Sequence, residues 1–294
     1  MTDQLDCSAV ANLAGLNPKQ LKALSGVAIE AAQKGGNKLM EHFGKLTSVR
    51  EKGRSGDLVT TADHAAEAEV LNILSHSTPD IAVLAEESGA SDHQADLCWC
   101  VDPLDGTTNF AHSFPLFATS IGLVWRNQPL LGAIAVPFLK ELYWCCPGEG
   151  SFLNNKAIHV SDCSSLSDSL LVTGFAYDRR EVVDNNYAEF AWMTHRTRGV
   201  RRGGAAAVDL AFVASGRLDG YWERGLAPWD LAAGAALVQL AGGTVGDYRG
   251  NGFNLGSGRI LATGPALHTT LQQELGKVTP LPPRLYEGTK DVGS

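Results

Sequence analysis

The chain has 294 residues, 44% of them hydrophobic and 19% charged, a balance with which a soluble chain of this length buries a sizeable core. A net charge of −8 and a pI near 5.5 speak against the basic face that nucleic acid or an anionic membrane selects, and no apolar run approaches the ~20 residues that span a bilayer. The 32 glycines are scattered rather than periodic, which rules out collagen-like and low-complexity readings.

Met1 to Asp6 carries two acids and no base, unlike a targeting leader. From Pro18 to Phe43 the residues Leu21, Leu24, Val27, Ile29, Ala31 and Ala32 recur at roughly helical spacing. With Asn17 as N-cap and Pro18 at the first helical position, they predict an amphipathic helix. The stretch Arg50 to Asp57 is charged and Gly-rich. Thr60-Thr-Ala-Asp63 then forms a capping-box pattern that opens a helix from about Thr61 to Ser75, with Asp63 in its first turn. Two short apolar runs, Ile81 to Ala85 and Leu97 to Val101, read as strands that end in acids: Glu86-Glu87 after the first, Asp102 after the second. Phe117 to Trp125, Leu130 to Pro137 and Leu142 to Cys146 alternate with turn signals at Asn127-Gln-Pro129 and Pro147-Gly148, as in an antiparallel meander.

After about Gly150 the pattern becomes α/β. Strands near Leu170 to Gly174 and Tyr221 to Glu223 alternate with helices near Tyr187 to Arg196, Ala205 to Ser215 and Asp230 to Ala241. No linker or internal repeat separates the halves, so residues 1–150 and 151–276 read as two topologies joined without a hinge; the three-proline tail, residues 277–294, is expected to be mobile. Of the six cysteines, Cys98 and Cys100 are two apart and Cys145 and Cys146 adjacent; neither spacing suits zinc, so they read as reduced packing residues of a cytoplasmic protein.

The chemistry concentrates in Trp99-Cys-Val-Asp102-Pro-Leu-Asp105-Gly-Thr107-Thr108-Asn109-Phe110. Within a few residues it offers two carboxylates, a carbonyl between them, a Gly that permits close approach, and two hydroxyls. Mg²⁺ takes oxygen donors of this kind, although the same residue types also make ordinary solvated turns. Asp230 at the start of an Ala-rich helix is favoured by the helix dipole alone. Glu223 could equally be a surface strand residue, and His112 and His195 have no second His at metal spacing. The run Arg196, Arg198, Arg201 and Arg202 reads as a solvated or oligomer face, with reception of an anionic substrate group as the other option.

This segment resembles the Asp-Pro-hydrophobic-Asp-Gly-Thr-Thr motif of the inositol monophosphatase family. Asp57-Leu-Val-Thr-Thr-Ala-Asp63, Glu86-Glu87-Ser88 and Pro228-Trp229-Asp230-Leu-Ala-Ala-Gly234 match the same family in the same order, over roughly Leu21 to Leu271. The resemblance implies a mixed α and β fold, the layered αβαβα sandwich of the sugar phosphatases, with two to three Mg²⁺ ions. One ion would be held by Glu86, Asp102 and the Leu104 carbonyl, a second by Asp102, Asp105 and Asp230, and a weaker third near Glu86. Asp63 and Thr107 would orient the attacking water, and the amides of Gly106 and Thr107 would face the phosphate. Asp105, Gly204, Ala205, Glu223 and Asp230 would contact the substrate, and Lys52 would lie on a loop over the site.

Crowded carboxylates are stable as anions only with cations among them, and such cations let an acidic protein take a phosphate dianion. The implied reaction is hydrolysis of a phosphate monoester, myo-inositol monophosphate first, by direct attack of a metal-bound water, with Li⁺ sensitivity. Rival substrates on the same scaffold belong to histidinol-phosphatase, fructose-1,6-bisphosphatase and 3′-phosphoadenosine-5′-phosphate phosphatase; a rival class is a regulatory binding protein. The expected partner is a small phosphorylated polyol, without nucleic acid or membrane, and homodimerisation is common in the family.

Overall fold

The computed structural model describes residues 6–46, 49–51, 57–91 and 95–281. After α1 (Cys7–Leu13), α2 (Pro18–His42) starts at a reciprocal cap: the Gln20 amide donates to Asn17 Oδ1 and the Asn17 amide to Gln20 Oε1, both at 3.0 Å. The strands β1 (Val49–Glu51) and β2 (Leu58–Thr60) pair antiparallel and lead into α3 (Thr61–Ser77). Lys52 lies outside the described residues, as does the tail beyond residue 281.

Next come β3 (Ala82–Ala85), β4 (Gly89–Ala90), β5 (Leu97–Asp105), the short α4 (Thr107–Ala111), β6 (Ala118–Trp125), β7 (Gln128–Val136), β8 (Glu141–Cys146), β9 (Gly150–Leu153) and β10 (Lys156–Ala157). The strands form one eight-stranded sheet in the order β10-β9-β8-β7-β6-β5-β3-β4, in which β5 to β10 are the antiparallel meander and β3 runs parallel to β5. One turn differs from the sequence reading. The β6–β7 reversal is Arg126-Asn127, with φ of +47° and +63°, and Pro129 lies inside β7. A register shift opposite it, between Leu123 and Val124, accommodates a residue without an N–H.

The second sheet holds β11 (Leu170–Thr173), β12 (Gly199–Arg201), β13 (Gly220–Arg224), β14 (Thr244–Gly246) and β15 (Arg259–Thr263), in the order β12-β11-β13-β15-β14. Four helices accompany it: α5 (Tyr187–Arg196), α6 (Ala206–Ala214), α7 (Pro228–Leu240) and α8 (Pro265–Gly276). Strand alternation sorts the layers. Leu171, Trp222 and Leu261 pack with Met193 of α5 and Leu267 and Leu271 of α8, whereas Val172, Tyr221 and Ile260 face α6 and α7. The far side of α6 and α7 meets Val124 and Ile134 of the larger sheet, whose other face packs Ile121 and Leu123 against Leu24 of α2 and Val70 of α3. The result is the αβαβα sandwich.

Close approach of α7 to the larger sheet depends on two glycines that face each other across β6 and β7. A Cβ on Gly122 would stand 2.6 Å from Ala232 Cβ, and one on Gly132 would stand 2.7 Å from Ala233 Cα. Among the described residues no helix is long and apolar enough to cross a membrane, and all six cysteines are free, four of them buried.

Candidate active site

Strand β5 extends through Asp105, so the acids Asp102 and Asp105 share one strand. Three residues apart, they would face opposite sides of a regular strand. A register shift between them, with Asp102 opposite Ser120 and Asp105 opposite Ala118, supplies the extra residue that turns both to one side. Asp230 joins them from the first turn of α7, where its Oδ2 accepts from the Ala227 amide at 2.7 Å. Carboxylate oxygens of Asp102, Asp105 and Asp230 all lie within 4.8 Å of one another.

Glu86 follows β3 and is tied to β5 by its amide, which donates to the Val101 carbonyl at 3.1 Å. Its carboxyl lines the same cleft as Asp102. Burial, then the charges of Glu86, Asp105 and Asp230, push Asp102 well above the usual carboxylate range. Burial also pushes Asp105 up to about 7, while backbone amides pull the other way. Those amides open α6: Ala206 donates to Asp105 Oδ1 at 3.0 Å, and Ala207 and Val208 to Oδ2 at 2.8 and 3.4 Å. Asp105 thus holds the start of a helix from the next layer.

Behind the cluster lies buried Asp63, whose Oδ2 accepts from the Thr60 amide at 2.8 Å and the Thr60 hydroxyl at 2.6 Å. Its Oδ1 faces Thr107 Oγ1 at 3.3 Å, and the same hydroxyl stands 3.0 Å from the Leu104 carbonyl oxygen. Between Asp105 and Thr107, Gly106 takes φ +89°, and a Cβ there would stand 3.1 Å from both Ala205 Cβ and the Leu116 carbonyl oxygen; a larger residue would be strained and crowded.

These residues line a cleft of about 270 Å³, a small-molecule volume. Glu86, Asp102, Leu104, Asp105, Gly106, Thr107, Gly204, Ala205, Glu223 and Asp230 all reach its wall, and Asp63 stands behind it. Glu223 comes from β13, and Tyr221 donates its hydroxyl to Glu223 Oε2 at 2.6 Å. Burial pushes Glu223 up to about 7, against the pull of that hydroxyl and of Arg202. The cleft also contains Asp57, Tyr177 and Trp229, to which the sequence reading gave no role there, and Arg202, for which reception of an anionic substrate group was the second option beside a solvated or oligomer face. Asp57 opened a recognised motif, Arg202 was one of four similar arginines, and nothing local marked Tyr177. His112 and His195 are exposed and do not line this cleft.

A largely buried group of carboxylates, with Asp102 raised by burial and then by its acidic neighbours, is short of positive charge, and an oxygen-only donor set fits a hard divalent cation such as Mg²⁺. Glu86, Asp102, Asp105, Asp230 and the Leu104 carbonyl are the donors at hand.

A protein from Synechocystis sp. strain PCC 6803 named inositol-1-monophosphatase is 51% identical over 261 residues, covering 88% of this chain and 91% of that protein. Nus factor SuhB of Pseudomonas aeruginosa is 39% identical, with 87% of this chain and 98% of that protein covered. The solved inositol monophosphatase from Anabaena (Nostoc) sp. PCC 7120 superposes with a TM-score of 0.82 at 48% identity, over 89% of this chain and 98% of that one. The inositol monophosphatase family model matches residues 20–279, so the chain belongs to the inositol monophosphatase family.

Proposed function

We propose that the chain hydrolyses myo-inositol monophosphate to inositol and phosphate in a Mg²⁺-dependent reaction, with water attacking phosphorus directly. The convergence of Asp102, Asp105 and Asp230 in one cleft with Glu86 and Glu223 carries this reading. Two to three Mg²⁺ ions, held by Glu86, Asp102, the Leu104 carbonyl, Asp105 and Asp230, would offset the charge of acids and phosphate and acidify the attacking water. The Thr107 hydroxyl, backed by Asp63, orients that water. Amides of Gly106 and Thr107 face the phosphate, Gly204 and Ala205 leave room for the ring, and Glu223 accepts from its hydroxyls. A new P–O bond forms to water as the ester P–O bond breaks, and the departing alkoxide takes a proton. No side-chain nucleophile is needed.

The test is free-phosphate release from a panel of phosphomonoesters, with Mg²⁺ or with chelator, followed by Li⁺ titration at fixed Mg²⁺. Inositol monophosphate should lead the panel, chelator should abolish turnover, and Li⁺ should inhibit it. Much faster hydrolysis of histidinol phosphate would overturn the substrate, and a trapped phosphorylated side chain would overturn the direct attack.

A further inference from the structure

A second recess, of about 230 Å³, lies where the start of α5 meets the end of α8, and it shares no lining residue with the acidic cleft. Glu189, in the first turn of α5, is its distinctive group. The residue is only 6% exposed, yet its Oε2 has no hydrogen-bond partner among the described residues. An acid that merely serves a helix start keeps its oxygens on an amide or in water. A buried and unpaired carboxylate oxygen is instead costly, and calls for a partner from outside. Burial first, and then the charge of Asp184, push the Glu189 carboxyl above the usual carboxylate range, against the pull of Arg249 and Arg259. Those two cations are already engaged. Arg249 Nη2 pairs with Asp184 Oδ2 at 2.8 Å, Arg259 Nη2 reaches the same oxygen, and Arg259 Nη1 donates to the Tyr248 hydroxyl at 2.6 Å.

Glu189 therefore lacks a donor, and the rest of the recess says which kind. Leu275 and Gly276 end the twelve-residue α8, the pole of a helix that favours positive charge. Arg249, the one base among the described lining residues, is held by Asp184, so an anion would find no free partner there. Leu275, Val278 and Pro280 supply an apolar wall beside the acid. We infer that this recess binds a small primary alkylammonium ligand, its N–H donors on Glu189 and its alkyl part against Leu275, Val278 and Pro280. A charge-assisted hydrogen bond to the ammonium satisfies the orphaned oxygen, and the short chain covers apolar surface. The site is separate from the proposed hydrolysis and stands whether or not that reading does.

The experiment is an NMR titration of the full chain, saturated with Mg²⁺ at constant ionic strength, with propylammonium, ammonium and tetramethylammonium chlorides. Propylammonium should shift the amide signals of Glu189 and Gly276 saturably. Tetramethylammonium, which carries the charge without an N–H donor, should bind at least about tenfold more weakly. Ammonium should also bind more weakly, because it leaves the apolar wall uncovered. Glu189→Gln should weaken propylammonium binding at least about tenfold, whereas Asp102→Asn, changed only in the acidic cleft, should bind it as wild type does. Glu189→Met keeps the bulk and removes the unpaired carboxyl, so it should abolish binding yet melt no lower than ligand-free wild type. The inference is overturned by wild-type protein without saturable shifts at Glu189, by tetramethylammonium binding equally well, or by unchanged affinity in Glu189→Gln. A Glu189→Met protein that melts several degrees lower would make Glu189 a structural acid of the α5 start and overturn it too.

Discussion

Thr107 Oγ1 lies 3.3 Å from Asp63 Oδ1, across 44 residues of sequence, and 3.0 Å from the Leu104 carbonyl oxygen. One hydroxyl proton is thus offered two acceptors, and a cation on the Leu104 carbonyl would leave it to Asp63. Thr107→Ala should lower kcat about 10²-fold with KM changed less than about threefold, while Thr107→Ser keeps most of the activity. Steady-state kinetics decides; a rise in KM at constant kcat would make Thr107 a binding residue instead.

Asp105 joins the acidic cluster to the start of α6. Asp105→Ala leaves the amides of Ala206, Ala207 and Val208 without their acceptor and should cost about 2 kcal/mol or more. Asp105→Asn keeps an acceptor oxygen and should lose less stability but as much activity. Urea melts of the two variants beside wild type test this, and equal midpoints for all three would refute the helix-holding role.

Gly132 faces Ala233 of α7, the helix that delivers Asp230. Gly132→Ala should destabilise by about 1–3 kcal/mol and weaken Mg²⁺ binding, because α7 must shift. Gly26 in α2 has open space around its Cα, and Gly26→Ala should stabilise by about 0.5–1 kcal/mol. Thermal melts in which both substitutions move Tm the same way would contradict this packing.

Glu223 is buried and pushed up to about 7 from an ordinary 4.5. The folded state therefore favours its neutral form, and the stability this contributes is complete below about pH 4.5 and lost as pH rises through about 7. In chelator-treated protein, the advantage of wild type over Glu223→Gln should shrink across that window by on the order of 3 kcal/mol. Parallel stability curves would place the Glu223 carboxyl in a more solvated setting. With substrate, Glu223→Gln should impair inositol phosphate hydrolysis far more than that of an aryl phosphate.

Local rules exposed most of this architecture. Asn17, Pro18 and Gln20 mark the start of α2, Thr60 and Asp63 that of α3, and the acids after β3 and on β5 stand where short-range patterns put them. What stayed hidden is set by distant partners. Asp105 meets the α6 amides about a hundred residues away, β13 sits between β11 and β15, and Pro129 fits inside β7 only because β6 shifts register opposite it. Arg202 could not be told from Arg196 and Arg198 until Glu274 and Asp168 were seen to occupy the others. Asp230 met both readings offered for it: it accepts the Ala227 amide as a first-turn acid and also joins the carboxylate cluster.

The sharpest measurement is calorimetric titration of metal-stripped protein with Mg²⁺ near neutral pH, for wild type and Asp102→Asn. Wild type should take up more than one ion and release protons, because Asp102 is held well above its ordinary range until a cation arrives. Asp102→Asn should stay folded, bind at least about 10²-fold more weakly and lose turnover to a similar degree. Wild-type protein that takes up no Mg²⁺, or an Asp102→Asn variant that binds it equally well, would contradict the metal centre.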